Sequence, residues 1–143
     1  MSTIQQMLTQ VDLFAGLPRK VHDELVAAGA TRTIPEGLVI VEQGAPDVGF
    51  QLILDGDATV SVNGTEVRTL HTGDYFGEMS LIDGAPRSAT VLSAGTGCKT
   101  FSISPLRFWQ IVDANPEASR SLLVALTTRI RALEDAARST GDG

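Results

Sequence analysis

Val21, Leu25 and Ala28 recur at helical spacing behind Pro18 and stop at Gly29, which predicts a helix over residues 17–28 within a helical N-terminal segment, 1–29. From residue 30 to 104 the period shortens. Runs rich in Val, Ile, Leu and Thr are separated by glycines at 37, 44, 56, 64, 73 and 84, which predicts many short strands joined by turns, as in a sandwich or barrel. Asn63-Gly64, between ATVSV and TEVRTL, predicts a two-residue hairpin turn with positive φ at both centres. Asp55-Gly56, between FQLIL and DATVSV, predicts a second. At Ser104-Pro105 the helical period returns, with Ser104 as cap and Pro105 in the first position. Leu106, Phe108 or Trp109, and Val112 follow until Asn115-Pro116 breaks the run. A last helix over 116–138 carries Leu123, Leu126, Ile130, Leu133 and Ala137 at alternating spacings of three and four. That heptad-like stripe serves either as a face against its own domain or as a dimer seam. Residues 139–143 read as a frayed tail. The predicted fold class is mainly β with flanking α: one domain over 1–143, with N-terminal helices (1–29), a β-roll or jelly roll (30–104) and two C-terminal helices (105–138).

Length and composition narrow the function. The chain has 143 residues, 43% apolar and 20% charged, which suits a single globular core. No apolar run approaches the roughly 20 residues that cross a bilayer, and residues 1–15 lack the pattern of a signal peptide, so no membrane partner is expected. Cys98 is the single cysteine, which excludes an internal disulfide and fits a reducing, cytoplasmic location. The net charge is −6 and the eleven Lys and Arg are scattered, so the basic footprint that nucleic acid requires is missing.

Chemistry concentrates in FGEMSLIDGAPRSATV, residues 76–91. Phe76 to Leu81 read as a strand end passing into a short helical turn, whose leading N–H groups have no intrahelical acceptor and attract anions. Gly77 lacks a side chain, so a ligand can approach its backbone. Arg87 supplies a planar fork suited to phosphate oxygens, and Ser88 another amide and hydroxyl. Glu78 would repel a phosphate but can accept a hydrogen bond from a sugar hydroxyl. One arginine without a neighbouring lysine, and no GKS/T loop, describe a nucleotide of low charge rather than a triphosphate.

This stretch closely resembles the phosphate-binding cassette of cyclic nucleotide-binding domains, FGE-x-[SAG]-L followed by PR-[AST]-A-[TS]-V. It is similar to the cassettes of the regulatory subunits of cAMP-dependent protein kinase, and the order of helices, roll and helices resembles the family along nearly the whole chain. The resemblance implies that Glu78 holds the ribose 2′-hydroxyl and Arg87 the cyclic phosphate. The amides of Ser80 and Ser88 complete the cradle, with Gly77 against the sugar and Met79 and Ala89 in the same cassette. Val60, Val62 and Leu70 become roll-interior residues, some lining the base. Bacterial catabolite-activator-like proteins pair a serine after the arginine with cAMP, so Ser88 favours cAMP over cGMP. Where those activators place a Thr-Ser pair on the last helix, this chain has Leu133-Glu134, so Leu133 is expected to cap the base by apolar contact. The implied function is a non-catalytic regulatory module in which ligand in the roll repositions the C-terminal helix. The implied partners are a cyclic nucleotide and either a second copy through that helix or an effector protein. A ligand-blind interaction or dimerisation domain is the alternative.

Other candidate residues carry less. His22 and His71 are the only histidines, too few for a metal-dependent jelly roll that wants about three ligands, so no metal is expected. Cys98 reads as a half-buried filler without a nucleophile–base pair. Trp109 is expected to pack between helix and roll rather than to close over a base.

Overall fold

The computed structural model describes residues 3–46 and 49–141. Three N-terminal helices, α1 (Thr3–Leu8), α2 (Asp12–Ala15) and α3 (Arg19–Ala28), precede the strands β1 (Ala30–Ile34), β2 (Val39–Val41), β3 (Phe50–Val62), β4 (Thr65–Leu70) and β5 (Tyr75–Phe76). A short helix, α4 (Glu78–Asp83), leads to the long strand β6 (Thr90–Ile103), and α5 (Pro105–Ala114) and α6 (Pro116–Gly141) close the chain. The sheet is antiparallel in the order β1-β6-β3-β4, with β2 added to β6 and β5 to β3. This is the mainly β fold with flanking helices that the hydrophobic pattern predicts.

Local signals explain most boundaries. Asn63 and Gly64 both have positive φ, 51° and 81°, and Val62 pairs with Thr65 across them, so the predicted hairpin forms. Ser104 Oγ accepts a hydrogen bond from the Arg107 amide at 3.3 Å, with Pro105 in the first turn, so α5 starts as its cap dictates. On its inner face Phe108 and Val112 are buried, whereas Leu106 points to solvent.

Two expectations are corrected. Asp55-Gly56 is not a hairpin: β3 runs straight through it, and its register against β6 shifts at Ile53/Asp55 and again at Gly56/Asp57. The Gly97 carbonyl of β6 occupies the space that a Gly56 side chain would need, so this glycine permits a close strand crossing and a bulge rather than a turn. The tail is not wholly frayed either. α6 continues past Arg138 to Gly141, because Ser139 and Thr140 carry no break signal; Asp142 and Gly143 lie outside the described residues.

Two cores result. One lies between helices and roll, where the Phe14 ring meets Phe50 edge-on at 5.0 Å and Phe108 at 6.1 Å, centroid to centroid. His22 belongs to it: buried, with Nε2 2.6 Å from the Phe14 carbonyl, it donates a hydrogen bond that ties α3 to α2. The other fills the roll, with Ile53, Ala58, Val60, Leu70, Val91 and Cys98. Cys98 is buried rather than half-buried, and burial, then the Asp57 and Asp55 carboxylates, push its thiol pKa up, which makes it inert. Among the described residues no helix is long and apolar enough to cross a membrane, and no three His, Cys, Asp or Glu side chains converge on a metal position.

Candidate ligand-binding site

Residues 76–91 do what the sequence suggests locally: β5 ends at Phe76, Gly77 takes φ 83°, and α4 begins at Glu78. Leu81 is the first residue of this turn whose amide reaches a backbone carbonyl, that of Gly77 at 3.3 Å. Among the described residues the amides of Met79 and Ser80 therefore have no backbone acceptor, as at any helix start.

These residues border a hollow of about 440 Å³ in the roll. Gly77, Glu78, Met79 and Ser80 line it, and so do Arg87, Ser88 and Ala89. Val60 of the roll lines it as well. Arg87 is only 7% exposed, although it is a full charge. Its Nη2 donates to the Gly49 carbonyl at 2.7 Å, and its guanidinium stands 5.8 Å from the centre of the Phe76 ring. A guanidinium has five donors, so it can hold a carbonyl and grip an anion together.

Gly77 lines the hollow and also has a reason within the fold. A side chain there would collide with the Gly49 carbonyl and with Arg87 Nη1, so this glycine makes room for the seat of the arginine.

Glu78 is 18% exposed, and Arg129 Nη1 of α6 lies 3.4 Å from its Oε1. The same guanidinium donates to Asp12 Oδ1 of α2 at 2.7 Å and meets the Met79 sulfur at 3.0 Å. Tyr75 adds its hydroxyl to Asp12 at 3.2 Å. One arginine of the last helix thus joins the cassette to the N-terminal helices. Burial alone would push the Asp12 carboxyl pKa up, but the hydrogen bond and charge of Arg129, with help from Tyr75, outweigh it and leave the carboxyl below its ordinary value of 3.8. Since the folded-state pKa is the lower one, this tie stabilises fully above that ordinary value and is lost as pH falls through the folded value. Asp12→Asn is expected to speed amide hydrogen exchange in α6 around Arg129 at pH 7, and to leave wild type and variant alike in strong acid.

Trp109 fastens the cassette from the other direction. Its Nε1 donates to the Leu81 carbonyl at 2.8 Å while its ring meets Phe108 edge-on at 5.5 Å, so α5 is pinned to α4.

Three expected ligand residues lie elsewhere. Val62 is only half-buried and pairs with Thr65 beside the hairpin turn, beyond the hollow. Leu70 is roll interior but packs into the core with Ile53 and Ala58 instead of facing the cavity. Leu133 is 65% exposed on α6 and does not reach the roll; the residue of α6 that touches the cassette is Arg129, one turn earlier. The hollow also has walls that the motif does not contain, Val41, Arg68 and Tyr75, and it is lined by Phe76 and Val91 at the two ends of the motif. Only strand register brings Val41 and Arg68 there, and register is set by pairings that local sequence does not specify.

The comparisons with known proteins agree with this geometry. Residues 31–115 match the family described as the cyclic nucleotide-binding domain. The cyclic nucleotide-gated potassium channel of Mesorhizobium japonicum is 38% identical over 113 residues, 78% of this chain and 31% of the channel. The chain therefore spans about a third of that relative's length. The N-terminal domain of a transcriptional regulator from Streptomyces coelicolor superposes with a TM-score of 0.82 at 26% identity, covering 91% of this chain and 96% of that one. The regulatory domain of Toxoplasma gondii PKA, crystallised with cAMP, gives 0.69 at 28% identity, covering 80% and 45%. A family match across more than half of the sequence, on a roll whose hollow is bordered by the cassette, makes this chain a member of the cyclic nucleotide-binding domain family.

Proposed function

We propose that this chain is a non-catalytic sensor that takes a purine 3′,5′-cyclic nucleotide into the hollow and reports it through α6. The observation that carries the reading is the buried guanidinium of Arg87 at the wall of the same cavity that Glu78 lines. A buried cation beside unsatisfied helix-start amides suits a single anionic ester, and the half-buried carboxylate suits the adjacent sugar hydroxyl. A 5′-monophosphate, as a dianion without the ring closure, fits this charge balance less well. The cAMP preference read from Ser88 rests on a side chain at the exposed rim, where a hydroxyl can donate to or accept from either purine.

Glu78 gives the signal its route. A ribose hydroxyl on Glu78 competes with Arg129 for the same carboxylate, so occupancy of the roll changes the tie that holds α6. Calorimetric titration of the folded chain with cAMP and cGMP tests the reading. Saturable heat with at least one of them is expected, and no heat with either would refute it.

A second reading has its own observation. Leu123, Ile130 and Leu133 of the heptad-like stripe are exposed on α6, whereas Ala118 and Leu122 face the domain. This stripe is the surface through which a second copy or an effector would read the helix. Sedimentation with and without nucleotide distinguishes the readings: a ligand-blind dimer would not change.

A further inference from the structure

The turn that follows β2 holds the backbone of Arg87. Gly44 donates its amide to the Arg87 carbonyl at 2.8 Å, and the Arg87 amide donates to the Ala45 carbonyl at 3.3 Å. The Gln43 amide donates to Thr90 Oγ1, three residues farther down the cassette, at 2.9 Å. Later in the same connection the Gly49 carbonyl takes the guanidinium itself. One connection thus meets the arginine at both its backbone and its side chain, and it is only as firm as its own anchor. Apart from the cassette and an internal Ala45–Glu42 bond, the hydrogen-bonded neighbour of residues 42–46 among the described residues is Asn63, at the tip of the β3–β4 hairpin. The contact has two points. Gln43 Oε1 accepts from the Asn63 amide at 2.8 Å, and Gln43 Nε2 donates to Asn63 Oδ1 at 2.9 Å. An amide N–H can only donate, so the first bond fixes the orientation of the Gln43 side chain, and the second then fixes that of Asn63. Asn63 stands at φ 51°, where glycine would serve the turn at no steric cost, so the turn alone does not explain the asparagine.

We infer that Gln43 and Asn63 are positioning residues for the anion contact. Their two-point bond fastens the turn to the hairpin, and the turn holds Arg87 where it meets the phosphate. This rests on the cyclic nucleotide reading above. Neither residue lines the hollow, so both act through Arg87 and not on the ligand. Gln43 is half-buried and Asn63 exposed, so water replaces their bond readily and it adds little to global stability. Its weight in binding is larger. A planar fork grips an anion only in the right orientation, and a displacement of a fraction of an ångström in its support is enough to loosen that grip. An exposed amide pair at the hairpin tip therefore sets the quality of a buried charge contact.

Calorimetric titration with cAMP and cGMP of Gln43→Ala and Asn63→Gly, each alone and combined with Arg87→Ala, tests this. Asn63→Gly keeps the left-handed turn and the amide donor and removes only the Oδ1 acceptor. With Arg87 present, Gln43→Ala is expected to raise Kd for the tighter nucleotide about 5-fold and Asn63→Gly about 3-fold, the scale of a hydrogen bond or less. In Arg87→Ala no guanidinium is left to place, and the same substitutions are expected to change Kd by less than about 2-fold. Asn63→Asp tolerates positive φ and still offers an oxygen to Gln43 Nε2, so it is expected to bind within about 2-fold of wild type. Circular dichroism checks folding, and the exposed Asn63 variants carry the test if Gln43→Ala does not fold. An equal loss with and without Arg87 would mean that the pair supports the fold alone. That result, or wild-type affinity in both Gln43→Ala and Asn63→Gly, would overturn the assignment while leaving the nucleotide reading intact. If wild type binds neither nucleotide, both fall.

Discussion

Arg87→Ala is expected to weaken binding of the preferred cyclic nucleotide by about 2–5 kcal/mol, a rise in Kd of roughly 30-fold or more. The size follows from burial. Arg87 is held on the Gly49 carbonyl beside the Phe76 ring, so it meets a phosphate in a preformed position and away from most of the water that would screen it. Removing it leaves an anionic ester with helix-start amides but no counter-charge. The variant also strands the Gly49 carbonyl, at a cost to stability of about 1–3 kcal/mol, so binding is to be measured well below its melting temperature. Arg87→Lys sharpens the test: it keeps the charge but loses the fork, and it is expected to recover only part of the affinity. Calorimetric Kd values for the three proteins decide the matter. Wild-type affinity in Arg87→Ala would mean that the phosphate sits elsewhere.

The second large effect concerns the fold. Phe14→Ala is expected to destabilise the domain by about 3–5 kcal/mol, out of a total of roughly 5–15 for a domain of ordinary stability. Phe14 is fully buried where three layers meet, with Phe50 of the roll on one side and Phe108 of α5 on the other. Its ring is the wedge by which α2 joins sheet to C-terminal helices, and no neighbour can close the gap without shifting one of those layers. The reading is a lower midpoint in urea with an unchanged slope. The exposed Leu123→Ala, on the outer face of α6, is the control and is expected to shift stability by no more than about 0.5 kcal/mol. A loss in Phe14→Ala as small as in that control would contradict the packing described.

How much of this could be read from the chain depends on how far the deciding atoms lie along it. Ser104-Pro105 and Asn63-Gly64 carry their own instructions, a cap and a left-handed turn, and both form as predicted. Asp55-Gly56 carries the same kind of signal and misleads, because the atom that decides its role is the Gly97 carbonyl, on another strand. The cassette was legible as a unit since its residues are contiguous. The purpose of Gly77 was not: it clears space for Gly49 and Arg87, one far up the chain and one beyond α4.

The same limit explains the last helix. Leu133 looks like a base cap when the helix is read as a stripe, yet a stripe gives no angle of approach to the roll. That angle comes from Arg129, which two carboxylates on different elements hold. Arg68 is the sharpest case. In TEVRTL it is an ordinary polar residue of an alternating strand, and only the pairing of β4 with Val60 turns it towards the cavity.

Crystallisation of the chain with cAMP and with cGMP tests the central claim most directly. Density for the nucleotide is expected inside the roll, with phosphate oxygens within about 3 Å of the Arg87 guanidinium and a ribose hydroxyl at the same range from Glu78. A nucleotide bound on the outer surface, or one inside the roll with its phosphate turned away from Arg87, would contradict it.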